Sequence, residues 1–299
     1  MLRVAQPAQS TSLWYAPYVA LMKPRVISLL LVTTLAGMFI AAADELPPAG
    51  LVFWTLVGGF LSAGGANAIN CYLDRDIDEL MSRTTRRPIP AGEIAPERAL
   101  AFGIGLTALA TLVFVAFVNV LSAGLSLLAA VYYVFVYTRW LKRTTPSNIV
   151  IGGAAGALPP VIGWAAVRGD VALLPIWLFV VVFYWTPPHF WALSLLIKSQ
   201  YARAGVPMLP IVRGDAEARR QILWYTLLLV ALTVLLVPFG MMGRIYLVAA
   251  ATLGGLFIWY AVRLRREATA GAARALYKFS LSYLALLFAA MVVDRHLPL

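Results

Sequence analysis

Nine apolar stretches, each close to the length of a membrane-crossing helix, constrain this sequence more than any other feature. A helix needs about 20 apolar residues to cross the hydrocarbon core of a bilayer. Hydrophobic residues make up 62% of the 299 residues and charged residues only 12%, whereas a soluble domain carries roughly a quarter charged residues. The sequence therefore predicts an all-α polytopic membrane protein, with spans at 26–43, 51–69, 99–117, 121–138, 148–167, 172–196, 221–240, 245–262 and 277–293.

The distribution of Lys and Arg predicts the orientation of these spans. With a cytoplasmic N-terminus and nine alternating spans, 21 of the 24 basic residues lie inside, and only Arg168, Arg244 and Arg295 lie outside. Such an excess is typical of cytoplasmic loops. We therefore expect a multi-pass protein of a bacterial cytoplasmic (inner) membrane, with the N-terminus inside and the C-terminus outside. Because the basic residues form short clusters and not one patch, we expect the lipid bilayer as a partner and no nucleic acid.

The lengths of the loops predict where the function lies. Residues 1–25 have no signal-peptide core and are expected to form a cytoplasmic segment. We expect a single transmembrane domain over 26–293 and a short tail over 294–299. The cytoplasmic loops after the second and sixth spans are the longest, at about 70–98 and 197–220. These two loops are therefore expected to carry the chemistry.

Acidic residues close the second span. On a helix, Asn70, Asp74 and Asp78 share one face over two turns, whereas Asp76 points away. A carboxylate at membrane depth costs about 2.5–3.5 kcal/mol, and like charges one turn apart repel. A bound Mg²⁺ resolves this conflict because it prefers oxygen ligands, and Asn70, Asp74 and Asp78 are its predicted ligands. The alternative is a solvated salt-bridge network at the membrane interface.

Arginines follow the acids within the same loop, at Arg83, Arg86 and Arg87. Guanidinium groups match the geometry of phosphate oxygens, and Mg²⁺ in proteins commonly shares a substrate phosphate. The combination of metal-binding acids with the arginines that follow them therefore predicts a site for a diphosphate leaving group. Both elements would stabilise the negative charge that develops as the C–O bond breaks.

Two further clusters allow more than one interpretation. His189 follows Pro187-Pro188, a pair that predicts a broken helix with free carbonyl groups beside a cavity. A role in that cavity and simple packing both remain open for His189. Lys142 and Arg143 close the fourth span, and ordinary topology charges are the favoured interpretation there. The glycines within 148–160 predict close packing between helices.

Several motifs resemble one family of membrane enzymes. The pattern Asn70-x₃-Asp74-x₃-Asp78 resembles the first Asp-rich motif of the UbiA superfamily of intramembrane prenyltransferases. Four more stretches, in order between residues 20 and 290, resemble its protohaem IX farnesyltransferase (haem O synthase) subfamily. These are Lys23-Pro24-Arg25-Val26, Met81-x-Arg83-Thr84-x₂-Arg87-Pro88, the stretch from Asn148 to Pro160, and Trp185-Thr186-Pro187-Pro188-His189-Phe190.

The resemblance implies a bundle of nine transmembrane helices around a central cavity. It implies transfer of farnesyl from farnesyl diphosphate to a vinyl group of haem B with addition of water, giving haem O and diphosphate for haem-copper oxidase assembly. It implies Mg²⁺ as the cofactor, and haem A synthase or oxidase assembly factors as further partners. The implied catalytic residues are Asn70, Asp74, Asp78, Arg83, Arg87 and His189, and the implied substrate-binding residues are Lys23, Arg25, Lys142, Arg143, Asn148, Lys198, Gln200 and Tyr201.

The sequence departs from the subfamily pattern at Gln200. The subfamily usually has an Asp there, immediately before the tyrosine that is Tyr201 in this sequence. Gln still offers an amide oxygen, but it is neutral. If the usual Asp contributes to a second metal site, that site is weaker here, or Asp215 or a water molecule takes its place.

Two other functions remain as alternatives. One is a prenyltransferase that acts on a quinone precursor or on chlorophyllide. The other is a non-enzymatic transporter or haem-handling membrane protein, which would bind haem without releasing pyrophosphate.

Overall fold

The computed structural model describes residues 14–42 and 45–297, which form helices joined by turns and short irregular segments. Nine segments of the described chain are long and apolar enough to cross a membrane. This confirms the predicted all-α fold and makes the chain a multi-pass membrane protein. Arg3, the predicted end of the first span at residue 43 and the last two residues of the predicted tail lie outside the described ranges.

Most spans are single helices, but the fourth (Val120–Thr144) and fifth (Asn148–Arg168) are each built from consecutive segments. In chain order the elements are α1 (Ala16–Met22), α2 (Pro24–Ala41), α3 (Ala49–Leu73), α4 (Arg75–Leu80), α5 (Pro96–Phe117), α6 (Val120–Val131), a π-helix (Tyr132–Leu141), α7 (Lys142–Thr144), α8 (Asn148–Ala157), α9 (Pro159–Arg168), α10 (Leu173–Leu196), α11 (Lys198–Arg203), α12 (Leu209–Val212), α13 (Gly214–Leu235), α14 (Arg244–Glu267) and α15 (Ala270–His296).

Several helices extend beyond the apolar stretches that predicted them. Helix α13 begins at Gly214, before the predicted start at 221, and α14 continues to Glu267, past the predicted end at 262. Hydropathy marks the part of a helix that lies in lipid. Backbone hydrogen bonding continues through charged residues beyond it, so apolar stretches underestimate helix length at the charged ends.

The prediction of a broken helix at the proline pair is wrong. Pro187 and Pro188 are both buried inside α10, which runs without interruption from Leu173 to Leu196. Proline has no backbone N–H, so Pro187 and Pro188 leave the carbonyls of Phe183 and Tyr184 without their usual helical donors. A transmembrane helix tolerates this when neighbouring groups compensate.

Glycines allow the fifth span to pack closely against neighbouring helices, as the glycines within 148–160 predict. A Cβ atom added at Gly152 would lie 2.2 Å from the ring of Tyr137. Further along the span, a Cβ atom at Gly163 would lie 2.0 Å from the carbonyl oxygen of Thr34 in span one. Small residues allow such backbone approach in membranes, and here they hold the fifth span against the first and the fourth.

Candidate active site

Three polar side chains at the junction of α3 and α4 are buried, and a fourth is exposed. Asn70, Asp74 and Asp78 are 4%, 1% and 2% exposed, whereas the side chain of Asp76 is 60% exposed. Helix α3 ends at Leu73 and α4 begins at Arg75, yet the amide of Asp78 still donates to the carbonyl of Asp74 at 2.8 Å. The chain therefore keeps close to a helical path, and the three buried side chains face inward together.

Each acid has a basic partner. Arg87 holds both carboxylate oxygens of Asp78, at 2.8 and 2.7 Å. Lys142 pairs with Asp74. Arg143 lies 3.7 Å from Asp74 and holds Asp76 at 2.7 and 2.8 Å. Lys142 and Arg143 therefore contact the acidic side chains, so their role is not limited to setting the orientation of the spans in the membrane.

Asn70 connects the acids to the first span. Its amide nitrogen donates to Asp74 at 2.7 Å and to the Thr138 hydroxyl at 3.1 Å, and its oxygen accepts from Lys23 at 2.7 Å. A lysine ammonium can only donate, so Lys23 fixes which end of the amide faces it. Lys23 lies between α1 and α2 with a left-handed backbone at φ 58°, a conformation that costs a non-glycine residue about 1–3 kcal/mol. Burial lowers the pKa of Lys23.

We call Lys23, Asn70, Asp74, Asp78, Arg87, Lys142 and Arg143 the charged rim. The π-helix supplies one more member of its hydrogen-bond network, Thr138, which is fully buried. The π-helix also leads directly into Lys142 and Arg143. Uninterrupted π-helices of this length are rare, and π-type turns are frequent at functional sites. Sequence reasoning missed Thr138 because no residue pattern within 132–141 distinguishes a π-helix from an α-helix.

Three predicted residues, Arg25, Arg83 and Lys198, lie at the margin of the charged rim or away from it. Arg25 is exposed in the first turn of α2. The side chain of Arg83 is also exposed, and its backbone amide donates to Gln200 at 3.2 Å. Lys198 pairs with Asp215 at 2.7 Å, with both side chains about two-fifths exposed. Asp215, the suggested substitute for an acid at position 200, is therefore paired with a basic residue, as Asp74 and Asp78 are.

Gln200 and Tyr201 connect the two long loops. The amide oxygen of Gln200 accepts from the loop after α4, through the backbone of Arg83. Tyr201 is buried in the main core of the bundle, and burial raises the pKa of its hydroxyl. The structure therefore brings the 70–98 and 197–220 loops together.

His189 packs against α15. Its ring lies between Trp185 and Tyr277, with centroids at 4.4 and 4.9 Å, and its Nδ1 is 2.7 Å from the Ser280 hydroxyl. Ser280 donates its only proton to the carbonyl of Tyr277 at 2.7 Å, so Nδ1 of His189 carries the hydrogen of this pair. The geometry matches the packing interpretation, because the ring faces α15 and supports Trp185 from one side.

A cavity of about 340 Å³ lies between spans one, two, four, five and six. Its walls are small and apolar residues together with the aromatic rings of Tyr133, Tyr137, Trp185 and Phe190. The cavity-lining residues Asn67 and Tyr137 lie within one turn of Asn70 and of its partner Thr138 along their helices, so the cavity extends to the level of the charged rim. An apolar chamber beneath a charged end suits a ligand with a hydrocarbon chain and an anionic head.

One oxygen of Asp74 remains available to a divalent cation. Asp74 Oδ1 is buried and accepts no hydrogen bond among the described residues, and Arg143 is the cation near it, at 3.7 Å and beyond hydrogen-bond distance. The described chain contains no group of three or more His, Cys, Asp or Glu side chains that could form a cage. Mg²⁺ rarely uses such a cage, and takes one or two carboxylates together with water and phosphate.

Solved structures share this fold. A digeranylgeranylglyceryl phosphate synthase superposes with a TM-score of 0.77 at 20% identity, covering 94% of this chain and 98% of that one. A UbiA homologue from Archaeoglobus fulgidus, bound to DMAPP and Mg²⁺, gives 0.70 at 19% identity, covering 93% and 100%. At such identities the likeness establishes the fold alone.

Sequence comparison identifies nearer relatives. The chain is 57% identical to a protoheme IX farnesyltransferase of Roseiflexus sp. (strain RS-1), over 93% of this chain and 52% of that protein. It is 48% identical to one of Acidiphilium cryptum (strain JF-5), over 93% and 90%. The chain thus spans about half the length of the first of these relatives and most of the second. The model of the UbiA prenyltransferase family matches residues 30–287, and the chain therefore belongs to that family.

Proposed function

We propose that this protein transfers the farnesyl group of farnesyl diphosphate to a vinyl group of haem B, with addition of water, to give haem O and diphosphate. The observation that carries the proposal is the charged rim, in which buried carboxylates alternate with cations beside an apolar cavity. The choice of haem as the acceptor follows the relatives, which are named protoheme IX farnesyltransferases. Haem A synthase or oxidase assembly factors are the proposed downstream partners.

The rim residues divide into two groups by chemistry. Asn70, Asp74 and Asp78 would hold Mg²⁺, as the Mg²⁺ and DMAPP in the Archaeoglobus homologue suggest. When bound, the ion supplies positive charge to the diphosphate oxygens. Lys23, Arg87, Lys142 and Arg143 would donate to the same oxygens and stabilise the leaving group. Arg83, exposed on the loop, would hold a phosphate or a haem propionate, with Gln200 fixing its backbone.

The cavity would shield the reaction from bulk water. The farnesyl chain would lie among the apolar walls, with its C1 atom beneath the charged rim. As the C1–O bond breaks, the aromatic rings of the cavity stabilise the allylic cation through their π faces. Exclusion of water keeps that cation from being captured before the vinyl group reaches it.

The proposed orientation places the charged rim at the cytoplasmic face of a bacterial inner membrane. The N-terminus would then lie inside and the C-terminus outside, because most basic residues follow the even-numbered spans. A cysteine-accessibility scan across the loops, with the buried Cys71 replaced by serine, would measure this orientation directly.

The decisive test is mass spectrometry of haem extracted after the purified protein is incubated with haem B, farnesyl diphosphate and Mg²⁺. We expect haem O, and no prenylated product when a phenolic acceptor replaces haem. Asp74→Asn should lower turnover by about 100-fold or more, the cost of losing one electrostatic group in such a site. Asp76→Asn, two residues away and exposed, is the matched control and should keep most of the turnover.

Two results would overturn parts of this proposal. Prenylation of the phenolic acceptor in place of haem would remove haem from the assignment. Full activity of Asp74→Asn in correctly inserted protein would remove Asp74 from the metal and diphosphate site.

A further inference from the structure

The cavity ends partway along the bundle, at a level that several helices share. Its lining residues furthest from the charged rim, which we call the cavity floor, are Thr34 in α2, Gly59 in α3, Ser126 in α6 and Ile162 in α9. The hydroxyl of Ser122, one turn before Ser126, donates to the carbonyl of Ile162 at 3.5 Å. The carbonyl of Thr34 lies against Gly163, the next residue after Ile162. These contacts hold the ends of α2, α6 and α9 at one level.

Ile162 is the largest apolar side chain of the cavity floor. It is 7% exposed and packs in a cluster with Phe114 of α5 and Ala123 of α6, of which Phe114 is fully buried. Phe114 in turn rests on Gly58, where an added Cβ atom would lie 2.7 Å from its ring. A hydrocarbon chain that reaches the cavity floor therefore meets Ile162, with Phe114 packed tightly behind it.

The depth of the cavity can be measured along two helices that meet at the charged rim. Lys23 and Asn70 are joined there by a hydrogen bond of 2.7 Å, and the floor residues Thr34 and Gly59 each lie 11 residues away from them. At about 1.5 Å per residue, both helices give a depth of about 16 Å. Carbon–carbon bonds of about 1.5 Å make an extended isoprene unit about 5 Å long, so three units extend about 15 Å and four about 20 Å.

We propose that Ile162 sets the length of the prenyl chain, by stopping a chain of three isoprene units at the cavity floor. This inference rests on the proposed function, because the depth is measured from the residues that would hold the diphosphate. A chain of two units leaves the space in front of Ile162 unfilled and loses the apolar contacts there. A fourth unit has no room unless Ile162 or Phe114 is displaced, and such overpacking is unfavourable.

The test measures the binding of chains of different length, before any prenyl transfer. The complete protein in detergent with Mg²⁺ is titrated, in the absence of haem, with the thiolodiphosphate analogues of geranyl, farnesyl and geranylgeranyl diphosphate, whose C–S bond breaks slowly. We expect the unchanged protein to bind the farnesyl analogue most tightly. Ile162→Ala should raise affinity for the geranylgeranyl analogue relative to the farnesyl analogue by about tenfold or more, the scale on which one methylene group alters selectivity in an apolar pocket.

A second variant changes the depth in the opposite direction. Ser62 lines the cavity one turn closer to the charged rim than Gly59, and its hydroxyl makes only a long hydrogen bond, of 3.5 Å, to the carbonyl of Ser126. A leucine side chain at this position would occupy the space of the third isoprene unit. Ser62→Leu should therefore lower affinity for the farnesyl analogue relative to the geranyl analogue by about tenfold or more.

Ile151→Ala is the matched control. Ile151 lies in the same span as Ile162, but it is 42% exposed and is not part of the cavity wall. The same substitution there should leave the order and the ratios of the three affinities unchanged. Ile162→Val is a smaller truncation that should shift the ratios in the same direction as Ile162→Ala, and it replaces the alanine variant if that variant does not fold.

Unchanged ratios in folded Ile162→Ala and Ser62→Leu would overturn the inference, because the chain would then leave the cavity sideways between helices. Equal weakening of all three analogues would overturn it as well, since Ile162 would then support the bundle without distinguishing chain lengths. If the protein selects the farnesyl analogue through Ile162 but forms no prenylated haem with farnesyl diphosphate, the inference stands and the proposed function fails.

Discussion

Replacing Arg87 by methionine would leave the carboxylate of Asp78 buried without its partner. The Asp78 side chain is 3% exposed and both of its oxygens are held by Arg87. Removing one partner of a buried pair costs about 3–5 kcal/mol, because the remaining charge is uncompensated. The Arg87 side chain is a quarter exposed, so water can partly reach the site. We therefore expect a loss of about 3 kcal/mol, roughly a 100-fold change in the unfolding equilibrium.

The double variant Arg87→Met with Asp78→Leu separates pairing from packing. Replacing a whole buried ion pair by apolar residues is often neutral or stabilising, so the second substitution should recover most of the loss. The free energy of unfolding can be measured by circular dichroism during SDS titration in mixed micelles. Arg263→Met is the matched control, since Arg263 pairs with Glu267 on an exposed helix face with both side chains about 40% exposed, and it should cost less than about 0.5 kcal/mol.

A loss below about 1 kcal/mol for Arg87→Met would refute this reasoning, because a desolvated carboxylate cannot lose its partner so cheaply. A double variant no more stable than the single one would refute it as well. The destabilisation would then come from lost packing of the arginine stem, and not from the charge on Asp78.

Three further predictions concern other parts of the molecule. Gly163→Ala places a Cβ atom 2.0 Å from a carbonyl oxygen of α2 and should lower stability by about 1–3 kcal/mol, measured by thermal unfolding in detergent, because backbone cannot move aside as a side chain can. Thr138→Val removes the hydroxyl that accepts from Asn70 and should weaken the Mg²⁺ dependence of turnover, whereas Thr138→Ser should restore it; equal behaviour of the two variants would contradict a role for the hydroxyl. Hydrogen bonds from Arg143 lower the pKa of Asp76 to about 2, so the stability from this pair is present above about pH 4 and is lost as the pH falls through about 2. Asp76→Asn should flatten that part of the pH profile of thermal unfolding.

The fold and the inward face of α3 could be read from the sequence because both depend on strong local signals. Apolar length determines the spans, and helical periodicity alone separates Asp74 and Asp78 from Asp76. The pairing of Lys142 and Arg143 with the acids could not be predicted, since it depends on contacts between α7 and the end of α3 that lie far apart in the chain. Basic residues at a span end serve topology in any membrane protein, and only the family resemblance implies substrate binding at Lys142 and Arg143.

Two other features lay beyond sequence reasoning for different reasons. The proline pair predicts a break, but the bundle around α10 keeps that helix continuous, so tertiary packing overrides the local preference. Asn148, a predicted substrate-binding residue, is fully buried at the start of α8, and neither polar atom of its amide has a hydrogen-bond partner among the described residues. This isolation depends on where the neighbouring groups lie and has no sequence signal. An asparagine at a helix start is otherwise an ordinary residue.

The π-helix gives the lipid-facing side of span four an influence on the charged rim. A π-helix joins residues i and i+5, so each residue turns the chain less than the roughly 100° of an α-helix. The direction in which Lys142 leaves the span depends on this wider winding being kept from 132 to 141. A substitution that restored α-helical winding at a lipid-exposed position such as Phe135, which is 62% exposed, would change this direction. Lys142 would then rotate away from Asp74, so lipid-facing residues of span four carry a constraint on backbone winding that their own contacts do not reveal.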